Sequence, residues 1–380
     1  MQVLATLINN MGGSSKLFLP LYFLEHYRLG YAHIGLLMGV YGLGSFVGAY
    51  FSGSLSDRFA AHRLTCLLLA GSGVISLLFS TPLPLAQFPA LLLLAGLADG
   101  GFRPGNMRLT LEPCNPTQRS TAQGQLRMAT NLGGALGGIS GGLLASIDFH
   151  WLFLAQGAAS LIGAAWMAHS YHHESPPPRQ APSAAVDEAG SSPWADKPFL
   201  LFIAGQLLAL TVFDQIYGTL GLFLREHNQL GPQWVGYLFT LNCLMVVGLQ
   251  LPIAHRVGHW GLTRSSHAGV VCVGAAFLML NLGHGAPWAL ASMAVLTAGE
   301  MLMSPTWAAI LMLRSEGRQR GQYMGIYNAA WSGRTLLAPA LGTWAYGQFG
   351  GPLLWWLCAG VAGLALMLHG PVLPRMLVRE

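Results

Sequence analysis

Residues 23–35 read Phe23-Leu24-Glu25-His26-Tyr27-Arg28-Leu29-Gly30-Tyr31-Ala32-His33-Ile34-Gly35, and the pattern returns two hundred residues on. There it is Phe223-Leu224, followed by Leu230-Gly231-Pro232-Gln233-Trp234-Val235-Gly236. The offset is 200 at the Phe-Leu pair and 201 after one inserted residue. At 201, Asp99 and Pro104 map onto Glu300 and Pro305, Gln118-Arg119 onto Gln319-Arg320, Gly124 onto Gly325 and Gly141 onto Gly342. One offset holding through separate regions marks a duplicated unit. In a membrane protein such repeats place a substrate site at their interface, near the bilayer midplane.

The composition says that the unit lies in a membrane. Of 380 residues, 53% are hydrophobic and 9% charged, against ~25% charged in soluble domains. Apolar runs of about 20 residues, enough to cross ~30 Å of hydrocarbon as helices, recur throughout. They fall near 3–25, 32–53, 64–82, 88–108, 121–146, 150–170, 198–223, 234–254, 268–284, 287–312, 322–347 and 352–372. The expected fold is all-α and integral to the membrane, with twelve spans in two pseudo-symmetric six-helix bundles. Between the sixth and seventh runs, a Pro/Ser/Ala-rich stretch has too few apolar residues to pack and reads as a linker. The division is then 1–170, linker 171–197, and 198–380. With both termini inside, thirteen Arg and Lys residues of the inter-span gaps are cytoplasmic and two, Arg28 and Arg225, lie opposite. That is the positive-inside bias. Both termini and the linker are expected in the cytoplasm, and the chain as a monomer in the lipid bilayer. The basic residues form no stripe, so no nucleic-acid partner is indicated.

After the second run, Gly53-Ser54-Leu55-Ser56-Asp57-Arg58-Phe59 is similar to the loop motif G-x-L-x-D-R-x-G-R-R of the major facilitator superfamily, departing from it at Ala60, Ala61 and His62 and rejoining at Arg63. The fifth run carries Gly133, Gly137, Gly141 and Gly142, similar to the family's antiporter motif with Gly138 in place of its proline. Phe102-Arg103-Pro104 and Gly299-Glu300 with Pro305 look like bacterial efflux-type members. The resemblance covers essentially the whole chain. It implies alternating access in a bacterial inner membrane, with a proton gradient as energy source and no cofactor. It also implies a cytoplasmic latch at Asp57, Arg58 and Arg63, and a rocking surface at Gly133, Gly137 and Gly141; static packing of those glycines is the alternative.

Seven ionisable residues fall inside apolar runs: Lys16, Asp99, Arg103, Arg127, Asp214, Glu300 and Arg334. Each costs ~2.5–3.5 kcal/mol at the bilayer centre if unpaired. Together that is roughly 17–25 kcal/mol, more than the ~5–15 of a whole fold, so they must pair or face water. They avoid spans 3, 6, 9 and 12, the peripheral helices of the superfamily. Asp99 and Arg103 are four apart and share a helix face; they either hold the fourth span in place or line a cavity. Arg127 belongs either to a gate or to that pair's network. Arg334 follows Tyr327 and Trp331 on one face, a cation with aromatic walls suited to an anion or a planar ligand. Glu300 lacks a basic residue four positions on, which makes it the leading proton carrier, with Asp99 and Asp214 behind it. Lys16, Arg103, Arg127, Asp214, Gln215, Asn242, Tyr327, Trp331 and Arg334 are the expected substrate contacts.

Four cations against three acids favour a carboxylate- or phosphate-bearing small molecule, such as a metal chelator, amino-acid conjugate or peptide. Proton-coupled export of such a compound is the expected function. A broad multidrug/proton antiporter is the alternative, and a non-transporting receptor on the same fold a further one. No GxxxxGK[ST] loop, HExxH or nucleophile–base pair occurs, so neither ATP drive nor enzyme activity is indicated. The five cysteines show no CxxC spacing, and no metal site is expected.

Overall fold

The computed structural model describes residues 2–58, 60–172, 192–315 and 319–377. Among the described residues it is all-helical. The order is α1 (Gln2–Gly12), a 3-10 turn (Gly13–Leu17), α2 (Leu19–Glu25), α3 (Tyr31–Arg58), α4 (Ala61–Phe79), α5 (Phe88–Leu111), α6 (Pro116–Ile147) and α7 (Phe149–His172). The second half follows as α8 (Lys197–Phe213), α9 (Gln215–Gly218), α10 (Leu220–His227), α11 (Pro232–Trp260), α12 (Leu262–Leu282), α13 (Ala286–Arg314), α14 (Arg320–Phe349) and α15 (Gly351–Leu377). The first span is α1, the turn and α2 in line; the seventh is α8, α9 and α10. With these merged, twelve spans run in the order expected. Residues 173–191 of the expected linker lie outside the described residues.

Helix ends follow local chemistry. Asn115 and Gln118 form a capping box ahead of α6, with Pro116 opening the helix. Asp196 accepts from the Phe199 amide at the start of α8. One residue, Gly261, separates α11 from α12 at φ +86°, a backbone conformation that a Cβ would strain.

Nine helices among the described residues are long and apolar enough to cross a membrane by length and composition. The three other spans are the first, fifth and eleventh, which contain Lys16, Arg127 and Arg334. Their polar and glycine-rich faces meet other helices or the cavity. Lipid-facing surfaces elsewhere are apolar: Leu36, Leu67, Ile162, Leu251 and Met367 are all more than 60% exposed, as hydrocarbon requires.

The halves meet along two helix crossings. In the first, α6 packs on α11: a Cβ on Gly236 would lie 2.1 Å from the Gly138 carbonyl oxygen, so glycine alone permits this approach. The Thr240 hydroxyl donates to the Ala135 carbonyl there at 2.8 Å. In the second, α3 packs on α14, with Gly35, Gly39 and Gly42 facing Thr343, Ala340 and Thr335.

Candidate functional site: a central cavity with ties at both ends

Spans 1 and 7 break at matching points of the repeat. The 3-10 turn interrupts span 1 around Lys16, and span 7 breaks between α8 and α9 at Asp214. Broken helices at mid-membrane are where transporters place substrate and ion sites, because interrupted backbone is tolerated where it lines a cavity.

In the second half, Arg334 Nη1 of α14 lies 3.1 Å from Asp214 Oδ1, with side-chain exposures of 14% and 2%. The guanidinium sits over the Trp331 ring at 4.6 Å and the Phe213 ring at 5.9 Å. Arg334, Trp331 and Phe213 share a cavity with Glu300, Ser304 and Trp307. The ion pair lacks hydrogen-bond geometry: Asp214 Oδ1 and Arg334 Nε are both buried without a hydrogen-bond partner. Trp331 Nε1 is in the same condition. Glu300 accepts from Asn242 Nδ2 at 2.9 Å, and the same amide reaches Thr297 Oγ1 at 3.0 Å.

In the first half, Asp99 accepts from the Tyr41 hydroxyl at 2.5 Å and from Ser72 at 3.1 Å. Lys16, Asp99, Tyr41 and Gln156 line one cleft. The Lys16 ammonium lies 5.0 Å from the centroid of Tyr217, on the other half.

Several sequence expectations are corrected here. Asp99 and Arg103 share a helix face but form no ion pair; the carboxylate is taken by Tyr41 and Ser72, and Arg103 is exposed. Arg127 does not join Asp99: its Nη2 donates to Gln250 of α11 at 3.2 Å, across the halves. Gln215 has protein partners. It donates to the Ala338 carbonyl at 3.0 Å, accepts from Thr219, and fills the space that Gly342 leaves open. Asn242 is committed to Glu300 and Thr297. Tyr327 is buried, with its ring 6.3 Å from Trp331.

The glycine face of α6 divides. Gly133 meets Leu7 and Asn10, and Gly141 meets Leu152 and Phe18, all within the first half. Gly134, Gly138 and Gly142, one position on and ~100° round the helix, meet α11 of the second half. Gly137 is buried. The inter-half surface is therefore the neighbouring face, not the one expected from Gly133, Gly137 and Gly141. The side chains of Asp57 and Arg58 lie outside the described residues; Arg63 is exposed.

Two clusters went unread in the sequence. At the end opposite the termini, Arg225 Nε lies 2.8 Å from Glu25 Oε1, joining the halves. Beside it the Tyr31 and Tyr346 hydroxyls both donate to Glu226, Tyr346 at 2.7 Å. The repeat held the signal: Glu25-His26 and Glu226-His227 correspond at offset 201, as do Arg28 and Gln229, both at positive φ. At the termini end, buried Asp196 receives Arg314 Nε at 2.8 Å, Arg314 Nη2 at 3.0 Å and the Tyr323 hydroxyl at 2.9 Å. Burial would push the Asp196 carboxyl up, but these donors and the Phe199 amide hold it below the usual carboxylate range.

With twelve spans, two crossings and a charged pocket in each half in view, the comparison with known proteins is decisive: residues 3–334 match the profile of the Major Facilitator Superfamily. The chain belongs to the major facilitator superfamily. It is a membrane transporter of this family and not an enzyme. It is similar to the uncharacterized MFS-type transporter YqjV of Bacillus subtilis (strain 168), 21% identical over 350 residues, covering 91% of this chain and 84% of that protein. It is also similar to the multidrug resistance protein MdtH of Edwardsiella ictaluri (strain 93-146), 23% identical over 349 residues, covering 89% and 84%. Among solved structures, the peptide transporter POT in complex with sulfate superposes with a TM-score of 0.81 at 14% identity, covering 99% of this chain and 94% of that one. A point mutant of the nucleoside transporter NupG gives 0.80 at 13%, covering 98% of both. At these identities the structural likenesses speak for the fold alone.

Proposed function

We propose that this facilitator exports a small anionic or zwitterionic compound in exchange for protons. One observation carries the substrate class. Two buried N–H donors, Arg334 Nε and Trp331 Nε1, lie in one cavity without hydrogen-bond partners. An unmet buried donor costs ~1–3 kcal/mol, and a carboxylate or phosphate oxygen entering the cavity recovers that cost. Lys16 and Arg103 add positive charge, since neither has an ion-pair partner among the described residues, while Asp99, Asp214 and Glu300 all have polar partners. The indole and Phe213 faces suit an aromatic or planar portion of the same molecule.

Glu300 is the proton carrier in this reading. It sits in the cavity with Arg334, and its held partner is a neutral amide rather than a cation. Proton uptake there breaks no ion pair. The ties at Glu25, Arg225 and Glu226 close the end opposite the termini, so with the termini in the cytoplasm the cavity faces inward. The inner membrane is the corresponding location.

A second reading is a broad multidrug/proton antiporter. It is favoured by the relatives named multidrug resistance protein and by the apolar part of the cavity wall, Leu210, Met303 and Trp307. Everted vesicles separate the two. Acid-interior vesicles should accumulate a radiolabelled polycarboxylate and leave a lipophilic cationic dye unmoved. Dye transport without carboxylate transport would reverse the assignment.

A further inference from the structure

Lys16 was expected to meet the substrate, yet its position fits another role. It stands in the 3-10 break of span 1 and makes no ion pair among the described residues. Its ammonium rests on the ring of Tyr217, three residues after Asp214 on the broken span of the opposite half. A cation on a tyrosine face is held weakly compared with one on a carboxylate. One carboxylate of that half that acts on Lys16 is Asp214, which is 2% exposed and has one cation among the described residues, Arg334, at 3.1 Å. That pair is incomplete, since Asp214 Oδ1 and Arg334 Nε both lack hydrogen bonds. Lys16 lies within electrostatic range of Asp214, Asp99, Arg103 and Arg334.

These facts raise a problem for any anion that binds Arg334. If the anion takes the guanidinium, Asp214 loses its only ion-pair partner among the described residues while buried, and an uncompensated buried charge is strongly unfavourable. We propose that Lys16 is the replacement counter-ion of Asp214: when an anion draws Arg334 away, the ammonium leaves the Tyr217 face and pairs with the Asp214 carboxylate. The exchange leaves every charge paired: the anion with Arg334, and Asp214 with Lys16. It also replaces a weak contact between spans 1 and 7 by an ion pair, so that occupancy of the site in one half is felt as a pull on the other. The inference rests on the anionic-substrate reading for its trigger, but not for the Lys16–Asp214 exchange itself.

The sequence offers a direct probe, because the chain has two lysines, Lys16 and Lys197. Reductive methylation of the purified transporter, read by mass spectrometry, gives the reactivity of Lys16 with Lys197 as internal reference. An ammonium held by a carboxylate gives up its proton less readily and is methylated more slowly. In Arg334→Gln the Lys16 rate should fall several-fold relative to wild type. Adding Asp214→Asn should bring it back to the wild-type rate or above. Arg334→Met should behave like Arg334→Gln and serves if the glutamine variant does not fold. An unchanged Lys16 rate in the Arg334 variants, or a fall that persists after Asp214→Asn, overturns the proposal. The same assay on wild type, with and without citrate as the polycarboxylate probe, tests the trigger separately. A fall in the Arg334 variants without a citrate effect would keep the exchange and reject the anionic substrate.

Discussion

Arg225 Nε lies 2.8 Å from Glu25 Oε1, an ion pair across the two halves made by the one residue that the second repeat has in excess at this point. Phe23-Leu24 is followed directly by Glu25; Phe223-Leu224 is followed by Arg225 and then Glu226. The inserted arginine supplies the cation of this tie. With it, Glu25 has a cation and Glu226 is left to the Tyr31 and Tyr346 hydroxyls.

Loosening these ties should open that end. The pair is partly exposed, 46% and 28%, so it is worth ~0.2–1 kcal/mol. Glu25→Gln should raise the open population by up to about fivefold. The readout is the rate at which a single cysteine at Gly39, buried in the α3–α14 crossing, reacts with a maleimide. Glu226→Gln, which weakens both tyrosine contacts, should act in the same direction and more strongly. An unchanged rate in both variants would deny the cluster a gating role.

Coupling should separate from recognition in the second half. Glu300→Gln retains the Asn242 contact but cannot exchange a proton, so pH-driven transport should be lost while counterflow persists. Arg334→Gln/Asp214→Asn removes the pair together and leaves no stranded charge. It should weaken binding of an anionic substrate about 10- to 150-fold, the equivalent of a charge-assisted contact of ~1.5–3 kcal/mol. Full pH-driven transport by Glu300→Gln would move the coupling role to Asp99 or Asp214.

Glycine substitutions should sort by face. Gly236→Ala pushes a methyl into the Gly138 carbonyl at 2.1 Å, a backbone neighbour that cannot rotate away. Parting α6 from α11 should cost ~1–3 kcal/mol and slow transport. Gly325→Ala has nothing within 4 Å and should be neutral or stabilising by up to ~1 kcal/mol through helix propensity. Thermal melting in detergent, paired with transport rates, checks both.

The Asp196 cluster should make the fold acid-labile. Its carboxyl is held below the usual range when folded, so its stabilisation is complete above the unfolded value of ~3.9 and is lost as pH falls through the folded value. The wild-type Tm should therefore drop more steeply than that of Asp196→Asn between about pH 5 and about pH 3. At neutral pH, Asp196→Asn leaves Arg314, itself 6% exposed, without its carboxylate and should cost ~3–5 kcal/mol. Parallel pH–Tm curves would contradict this account.

Orientation is open to the same kind of check. In a cysteine-free background, Ser192→Cys should react with a membrane-impermeant maleimide in everted vesicles and stay unlabelled in intact cells. Labelling from outside would invert the assignment of the ties to the two membrane faces.

The sequence by itself determined the span number, the duplication and the list of charges that had to be satisfied. Those follow from transfer free energy and from a constant offset, and both are properties of residue order. It also named the leading cavity residues of the second half, because Arg334 and Trp331 are local to one helix face. It did not determine partners. Asp99 and Arg103 share a face, yet Tyr41 and Ser72, 58 and 27 residues away, take the carboxylate. Which of two adjacent glycine rows on α6 meets the other half depends on how the helix is rotated about its axis, and only neighbouring helices set that rotation. The Glu25–Arg225 and Asp196–Arg314 pairs join residues 200 and 118 positions apart. No periodicity within one helix encodes such distances; they arise when the twelve spans pack together and each buried charge takes the partner that packing brings within reach.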